Sequence, residues 1–401
     1  LKVPEQKIQK LKIRELKILY IASGDFKYGA PKSLCDLMLA LRKNHAITPV
    51  LLTKKKNSLN ELCDREGIEN YSFWYRDIMA GAPYRNPFMR LFKHVVKYGL
   101  FLFGALTYRG INRIGIDFSQ INIIHTNLNR LDIGVYLSKK YTIPHVWHIR
   151  EFGEDDYNVV MYKRGCIKYM MENANKFIAI SNAVKTAWIK KGINEEKITR
   201  IYNGIDPANF KPKKLRNDSI LKIVIVGHIQ PNKGQLQIIE AIGRLSSEIR
   251  LNICLDLLGE SYLDYKKLLI KRIKELNLEK QVHLIGYQKN IPDILSNYDI
   301  GVTCSKSEGF GRISIEYMLA GLAVIASDTG ANTEIITDGI DGRIYRYGDP
   351  AHLAEIINEL FNNPGRLESL AYAGRKKAES HFSIDNCAGE VYNLYQEMIK
   401  N

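Results

Sequence analysis

The chain has few cysteines for its 401 residues, and none is placed for pairing or for zinc. The six are Cys35, Cys63, Cys166, Cys254, Cys304 and Cys387. No two stand at CxxC spacing, and none sits beside a histidine at zinc-ligand spacing. Their scattered, mostly apolar contexts indicate buried free thiols, which fits a reducing cytoplasm. Long apolar runs are also missing. None reaches the ~20 residues that cross a bilayer. The first, Ile18 to Ala22, is too short for a signal peptide and ends in Ser-Gly-Asp. Acidic residues are in short supply, with 43 against 58 basic ones and a net charge of +15. An anionic partner is therefore expected: a phosphorylated substrate, anionic lipid or nucleic acid, with surplus surface lysine as the plain alternative. Zinc-finger, RNP and basic-region motifs are absent, so no nucleic acid is expected.

What is present is apolar material for two cores, at 45% hydrophobic and 25% charged residues. Short apolar runs alternate with helical periodicity, the pattern of parallel sheets with crossover helices. In the first half the strands are expected at Lys17–Ser23, Thr48–Thr53, Gln120–His125, His145–His148 and Lys176–Ile180. Tyr202 to Lys214 is rich in turn residues, with Asn203-Gly204 and Asp206-Pro207 as breakers. The rhythm then restarts with strands at Leu221–Gly227, Ile253–Leu258, Val282–Gly286, Ile300–Cys304 and Ala323–Ser327, and a helix from about Lys233. The fold class is α/β, with two Rossmann-like, doubly wound parallel-sheet domains facing a cleft. The expected division is a tail over 1–15, a first domain over 16–214, a second over 215–383, and a last helix over 384–401 that returns to the first domain.

In open parallel sheets ligands bind beyond the carboxyl ends of strands. One such segment is Glu308-Gly309-Phe310-Gly311-Arg312-Ile313-Ser314-Ile315-Glu316. Its glycines let backbone approach a ligand closely, and the helix start offers free N–H groups to an anion. Glu308 can accept hydrogen bonds from sugar hydroxyls, and Glu316 can face a ribose diol. A second segment, Gly227 to Gly234, carries His228 and Lys233. The helix dipole disfavours a cation at a helix start, which makes a role for Lys233 toward a diphosphate more telling. A third, Asp328 to Glu334, offers backbone donors around Gly330 or serves as an ordinary turn.

With these segments in hand, the chain resembles the retaining glycosyltransferase family 4, of GT-B fold, and in particular bacterial capsular and exopolysaccharide enzymes. The resemblance rests on VGHIQPNKG, the two glutamates Glu308 and Glu316, LAGLAVIASDTGANTEII, DGIDGRIY and the interdomain segment IYNGIDPANF. It covers the chain from Lys17 onward. It implies that Lys233 binds the donor diphosphate, that Glu308 lies by the transferred sugar with Gly309, Phe310, Gly311 and Ile313 around it, and that Glu316 holds the ribose. His228 stands where the family commonly has arginine, and Arg312 is a candidate to complete the clamp. In the first domain Gly29 resembles the family's glycine loop, and His148 its active-site histidine. Tyr28, Asn127, Arg150 and Glu151 are candidate acceptor contacts, with His125 beside them.

The resemblance further implies transfer from a nucleotide-diphosphate sugar, a UDP-sugar, to a lipid-linked or growing glycan acceptor, without a metal or other cofactor. Asp155-Asp156 is read as surface loop and not as a metal-binding pair. Arg90 to Arg109 forms a basic amphipathic helix, with Arg90, Lys93, His94 and Lys97 on one face. It suits either an anionic membrane interface or packing on the first sheet. The expected location is the cytoplasm, peripheral at the inner face of the cell membrane. Two other functions stay open: a GT-B-fold sugar-nucleotide epimerase and a non-catalytic accessory subunit.

Overall fold

The computed structural model describes residues 15–26, 28–81, 87–153, 159–162, 165–211 and 220–400. The tail before Glu15, Lys214, the Asp155-Asp156 pair and the Arg90 side chain lie outside the described residues.

The first domain carries β1 (Leu16–Ala22), β2 (Ile47–Thr53), β3 (Glu69–Ser72), β4 (Met79–Gly81), β5 (Ile123–Asn127), β6 (His145–Ile149), β7 (Val159–Met161), β8 (Lys176–Ala179) and β9 (Ile198–Arg200). Seven of these form one parallel sheet in the order β3-β2-β1-β5-β6-β8-β9, and β4 pairs antiparallel with β7 beside it. The second domain carries β10 (Leu221–Val226), β11 (Ile253–Leu258), β12 (Val282–Gly286), β13 (Ile300–Thr303), β14 (Ala323–Ser327) and β15 (Arg343–Tyr345). They form a parallel sheet in the order β12-β11-β10-β13-β14-β15. This is the GT-B architecture.

The central strands are buried on both faces, which is why they appear in sequence as continuous apolar runs. Each sheet starts at an inner strand and winds first one way, then the other. The winding reverses between β1 and β5 and again between β10 and β13. Such switch points open a crevice beyond the strand ends.

Three regions depart from expectation. Gln120 ends a 3-10 turn capped by Asp117, and the strand begins only at Ile123. Lys233 also closes a 3-10 turn, and the helix starts after Gly234, at Gln235. Strands β3, β9, β15 and the β4–β7 pair went unforeseen, because each is only three or four residues long.

Two chain crossings join the domains side by side. Ile205 N–H donates to Phe382 O at 2.9 Å, and Ile384 N–H donates to Ile205 O at 3.1 Å. Gly204 is required here, since a Cβ would collide with the Cα of Ile384. After this crossing the helix Ile384–Lys400 packs on the first domain. Its Val391, Leu394 and Tyr395 share a core with Leu16, Ile18 and Leu34.

Candidate functional site

A cavity of about 370 Å³ opens between the domains, at both switch points. The second domain supplies His228 and Lys233 from beyond β10, and Glu308, Arg312, Ile313 and Glu316 from beyond β13. The first domain supplies Tyr28, Gly29 and Lys32 from beyond β1. Eight of the residues singled out from sequence thus share one wall-lined space.

Glu308 lies in its lining, held by three donors. One carboxylate oxygen accepts from Lys233 Nζ at 2.9 Å and from Ser305 Oγ at 3.0 Å. The other accepts from the Gly311 amide at 3.2 Å. Burial pushes this carboxyl up, but the Lys233 charge and the three donors outweigh it and hold Glu308 below its ordinary range. The segment Asp328 to Glu334 holds the loop from behind. Ala331 N–H donates to Glu308 O at 2.8 Å. Gly330 has φ +56° and lies so close to the Glu308 backbone that any Cβ would clash. The Ala331 amide therefore serves the loop, where sequence had left phosphate binding open.

Glu316 and Arg312 form a charge network across the cleft. Arg312 donates to Glu316 at 2.9 Å, to Ser33 Oγ at 2.9 Å and to Asp36 at 2.8 Å. Lys32 Nζ adds a contact to Glu316 at 3.2 Å. Burial works against the Arg312 charge, yet the two carboxylates raise its pKa on balance. Glu316 edges the cavity with its charge already paired, so a ribose diol reaches it only by sharing it with Lys32 or Arg312. His228 stacks on Tyr28 with ring centroids 6.0 Å apart, and its Nδ1 is buried without a protein partner.

Other candidates lie off the cavity wall. The Phe310 ring is buried between Tyr202 and Phe382 at 5.9 and 6.1 Å, in apolar packing that spans both domains. The Gly309 carbonyl accepts from Ser181 Oγ at 2.7 Å, again across the domains. Asn127 and Arg150, expected to meet an acceptor, are instead closed into a buried block. Arg150 Nε donates to Asn127 Oδ1 at 2.7 Å, Nη1 donates to Asn203, and Asn127 Nδ2 donates to Ala30 O at 3.3 Å. The physical reason is that a buried guanidinium must be satisfied, and these amide oxygens do it. Glu151 accepts from Trp188 Nε1 through its carbonyl at 2.8 Å.

His148 belongs to the same block. Its Nδ1 lies 3.0 Å from His125 Nε2 and 3.4 Å from Arg150 Nη2, and its Nε2 is buried with no protein partner. Burial first, then the charge of Arg150, push its pKa far down, so the imidazole is neutral. It can donate or accept a hydrogen bond but carries no charge.

Sequence reasoning missed several contributors. Lys32, Ser33 and Asp36 sit on the helix Gly29–Asn44, where helical spacing from Gly29 could have flagged them. Glu260, Tyr287 and Lys289 line the cavity just beyond β11 and β12, where the strand-end rule points. Glu334 was read only as the end of the Asp328 to Glu334 turn, with no signal for a contact across the domains. It accepts from the Asn182 and Ala183 amides at 2.8 and 2.6 Å, capping the helix Asn182–Lys190 of the other domain.

Two family models match: "Glycosyltransferase Family 4" over residues 33–209 and "Glycosyl transferases group 1" over residues 207–377. An uncharacterized glycosyltransferase of Methanocaldococcus jannaschii is 27% identical, covering 79% of this chain and 86% of that one. The Staphylococcus aureus capsular polysaccharide biosynthesis glycosyltransferase CapM is 28% identical, over 58% of this chain and 66% of its own length. The alpha-maltose-1-phosphate synthase of Mycobacterium tuberculosis is 27% identical over 56% of this chain and 64% of that one. The chain thus spans just under two thirds of the last two relatives. Among solved structures, Anabaena Alr3699/HepE in complex with UDP superposes with a TM-score of 0.78 at 21% identity, covering 95% of this chain and 100% of that one. At that identity the likeness shows the fold alone.

Proposed function

Because the chain belongs to glycosyltransferase family 4, and so is a glycosyl-transferring enzyme, we propose that it moves a sugar from a UDP-sugar to a lipid-linked or growing glycan acceptor, with retention and without a metal. The observation that carries this reading is the Lys233–Glu308 pair, set in a cavity at both switch points. A diphosphate entering there meets Lys233 as a counter-charge, and Glu308 remains as an acceptor for sugar hydroxyls. Structures of the Anabaena neighbour with UDP and with UDP-glucose support the choice of donor class.

In the proposed reaction the bond from the anomeric carbon to the diphosphate breaks as charge builds on the leaving oxygen. Lys233 and the amides at the start of the helix Arg312–Leu319 stabilise that charge. The acceptor hydroxyl attacks the same face of an oxocarbenium-like centre, and its proton passes to the departing phosphate side. His148, buried outside the cavity lining, keeps a neutral imidazole that does not repel a cationic centre, and its unpartnered Nε2 is the one atom of the block left for a further hydrogen bond. His228 and Tyr28 close the phosphate end from opposite domains.

The test is thermal stabilisation by nucleoside diphosphates and UDP-glucose. Saturation near 100 times Kd adds about 2.7 kcal/mol to folding stability. UDP is expected to stabilise the wild type, and the effect is expected to vanish in Lys233→Ala and weaken in Glu316→Ala. An unchanged response in both variants would sink the site.

The membrane part of the proposal rests on the helix Pro87–Gly104. Its apolar side faces outward, not onto the first sheet: Leu91, Val95 and Phe103 are 64%, 63% and 70% exposed. Phe101 and Gly104 make the packed side, against Arg76 and Trp74. No acid occurs between Pro87 and Ile114, while Arg90, Lys93, Lys97, Arg109 and Arg113 do. An amphipathic helix of this charge suits the surface of an anionic bilayer. No helix among the described residues is long and apolar enough to cross a membrane. The chain is expected to float with anionic liposomes and not with zwitterionic ones. Leu91→Glu with Val95→Glu is expected to abolish flotation, and charge reversal at Arg90, Lys93 and Lys97 to weaken it. Absence of flotation in the wild type overturns this part.

A further inference from the structure

The transfer site leaves unused a second cluster of ligand-type side chains on the far edge of the second sheet. Cys254 and Asp256 stand two residues apart on β11 and so point to one face. His283 on β12 is the direct cross-strand partner of Asp256. Their donor atoms converge. Cys254 Sγ lies 3.6 Å from His283 Nδ1 and 3.8 Å from Asp256 Oδ1, and the latter two are 2.9 Å apart. We propose that Cys254, Asp256 and His283 bind a thiophilic divalent cation of the zinc class, in a site separate from the transfer cavity.

The distances support one shared ion. Bonds of about 2.0–2.3 Å at tetrahedral angles put sulfur, nitrogen and oxygen ligands roughly 3.3–3.6 Å apart. The observed triangle matches to within about half an ångström, so binding needs only side-chain adjustment. A mixed sulfur, nitrogen and oxygen set selects a borderline or soft ion over calcium or magnesium, which take oxygen ligands. The carboxylate is also oriented from behind, since Tyr298 donates to Asp256 Oδ2 at 2.7 Å and leaves Oδ1 toward the thiol. A plain His–Asp pair accounts for the 2.9 Å contact. It does not account for the thiol at the third corner, and Cys254 alone of the six cysteines is not buried.

The His283 side chain is 40% exposed, so the cluster lies at the surface, where a water can complete the ligand set. The ion would tie the edge strand β12 to β11 on a rigid pair of strands. Three protein ligands and one water is also the ligand count of catalytic zinc sites. Here the cluster lies upstream of the strand ends, away from the sugar, and its effect is expected on stability.

The experiment is cobalt titration of the metal-stripped full chain. A thiolate-to-cobalt charge-transfer band and tetrahedral d–d absorption are expected, both displaced by zinc, and zinc is expected to raise the unfolding temperature. Cys254→Ser should remove the charge-transfer band and His283→Gln should weaken zinc at least ~10-fold, with Tyr298→Phe costing about 10-fold through the carboxylate's orientation. Both ligand variants should unfold, metal-free, with the same cooperative transition as the metal-free wild type. A wild type without the charge-transfer band, or a band that survives in Cys254→Ser, overturns the proposal.

Discussion

The two walls of the cleft are built on opposite plans. The second domain presents charged side chains on loops: Lys233, Glu308 and Glu316 reach the cavity from beyond β10 and β13. The first domain turns its polar residues inward. His125, His148, Asn127 and Arg150 bond mainly to one another and to Asn203 and Tyr395. One wall is a set of electrostatic contacts awaiting an anion, and the other is a hydrogen-bonded block that fixes shape. Buried polar groups must be satisfied, so a domain that buries four of them at strand ends has to join them.

The comparison breaks hardest at Arg312, whose charge belongs to both walls. Arg312→Met leaves Lys32 as the remaining cation paired with Glu316 across the cleft, and Asp36 without its ion-pair partner from the second domain. It should cost about 3–5 kcal/mol in denaturant unfolding. A loss under about 1 kcal/mol would show that the network is not holding the domains together.

Next in size is Lys233→Ala, expected to lower sugar transfer about 100- to 1000-fold. The matching change in the other wall, Arg150→Met, should leave two amide oxygens buried and unpaired. It is expected to lower stability by about 2–5 kcal/mol while UDP affinity changes little. Equal losses of UDP affinity in both variants would erase the distinction between the walls.

Acid titration separates them further. Burial, reinforced by charge from Arg150, holds His125 and His148 well below 6.5, and burial alone takes His145 down to about 4. Below pH 6.5 the unfolded chain binds protons that these folded imidazoles refuse. Their contribution is therefore complete above that pH and falls as pH drops, by up to about 1.4 kcal/mol per pH unit for each imidazole. Glu308 behaves in the same sense but in a lower window. Its folded pKa lies below 4.5, so its contribution is present above that value and is lost as pH falls through the folded pKa. Unfolding midpoints between pH 7 and 5 should fall in the wild type and flatten in His125→Asn. An unchanged slope would count against a neutral histidine block.

The smallest expected effect is at Glu334. Glu334→Gln keeps the shape but removes the charge that caps the helix Asn182–Lys190, and should cost about 1 kcal/mol.

Legibility followed the same divide. The strand-end loops of the second domain announce themselves because a charged residue next to glycine, beyond an apolar run, has few other reasons to be there. The first-domain block was legible as a polar cluster, but its contacts were not. Arg150, Asn127 and Asn203 come from three separate segments and meet only when β5 and β6 align and the linker passes beneath them.

By itself the sequence determined two doubly wound α/β domains, through apolar runs buried on both faces, and it determined which loops carry charge. The Glu308 carboxylate and the Lys233 ammonium were identified as individual residues, 75 positions apart. Only the tertiary structure decided that they pair with each other in the cleft, that Arg312 and Glu316 are shared with Asp36 and Lys32, and that Cys254, Asp256 and His283 meet. The reason is common to all of these. Hydrophobic periodicity is a local signal that survives in one strand, whereas a charge finds its partner through strand order and register, which fix distances between segments that the chain itself keeps far apart.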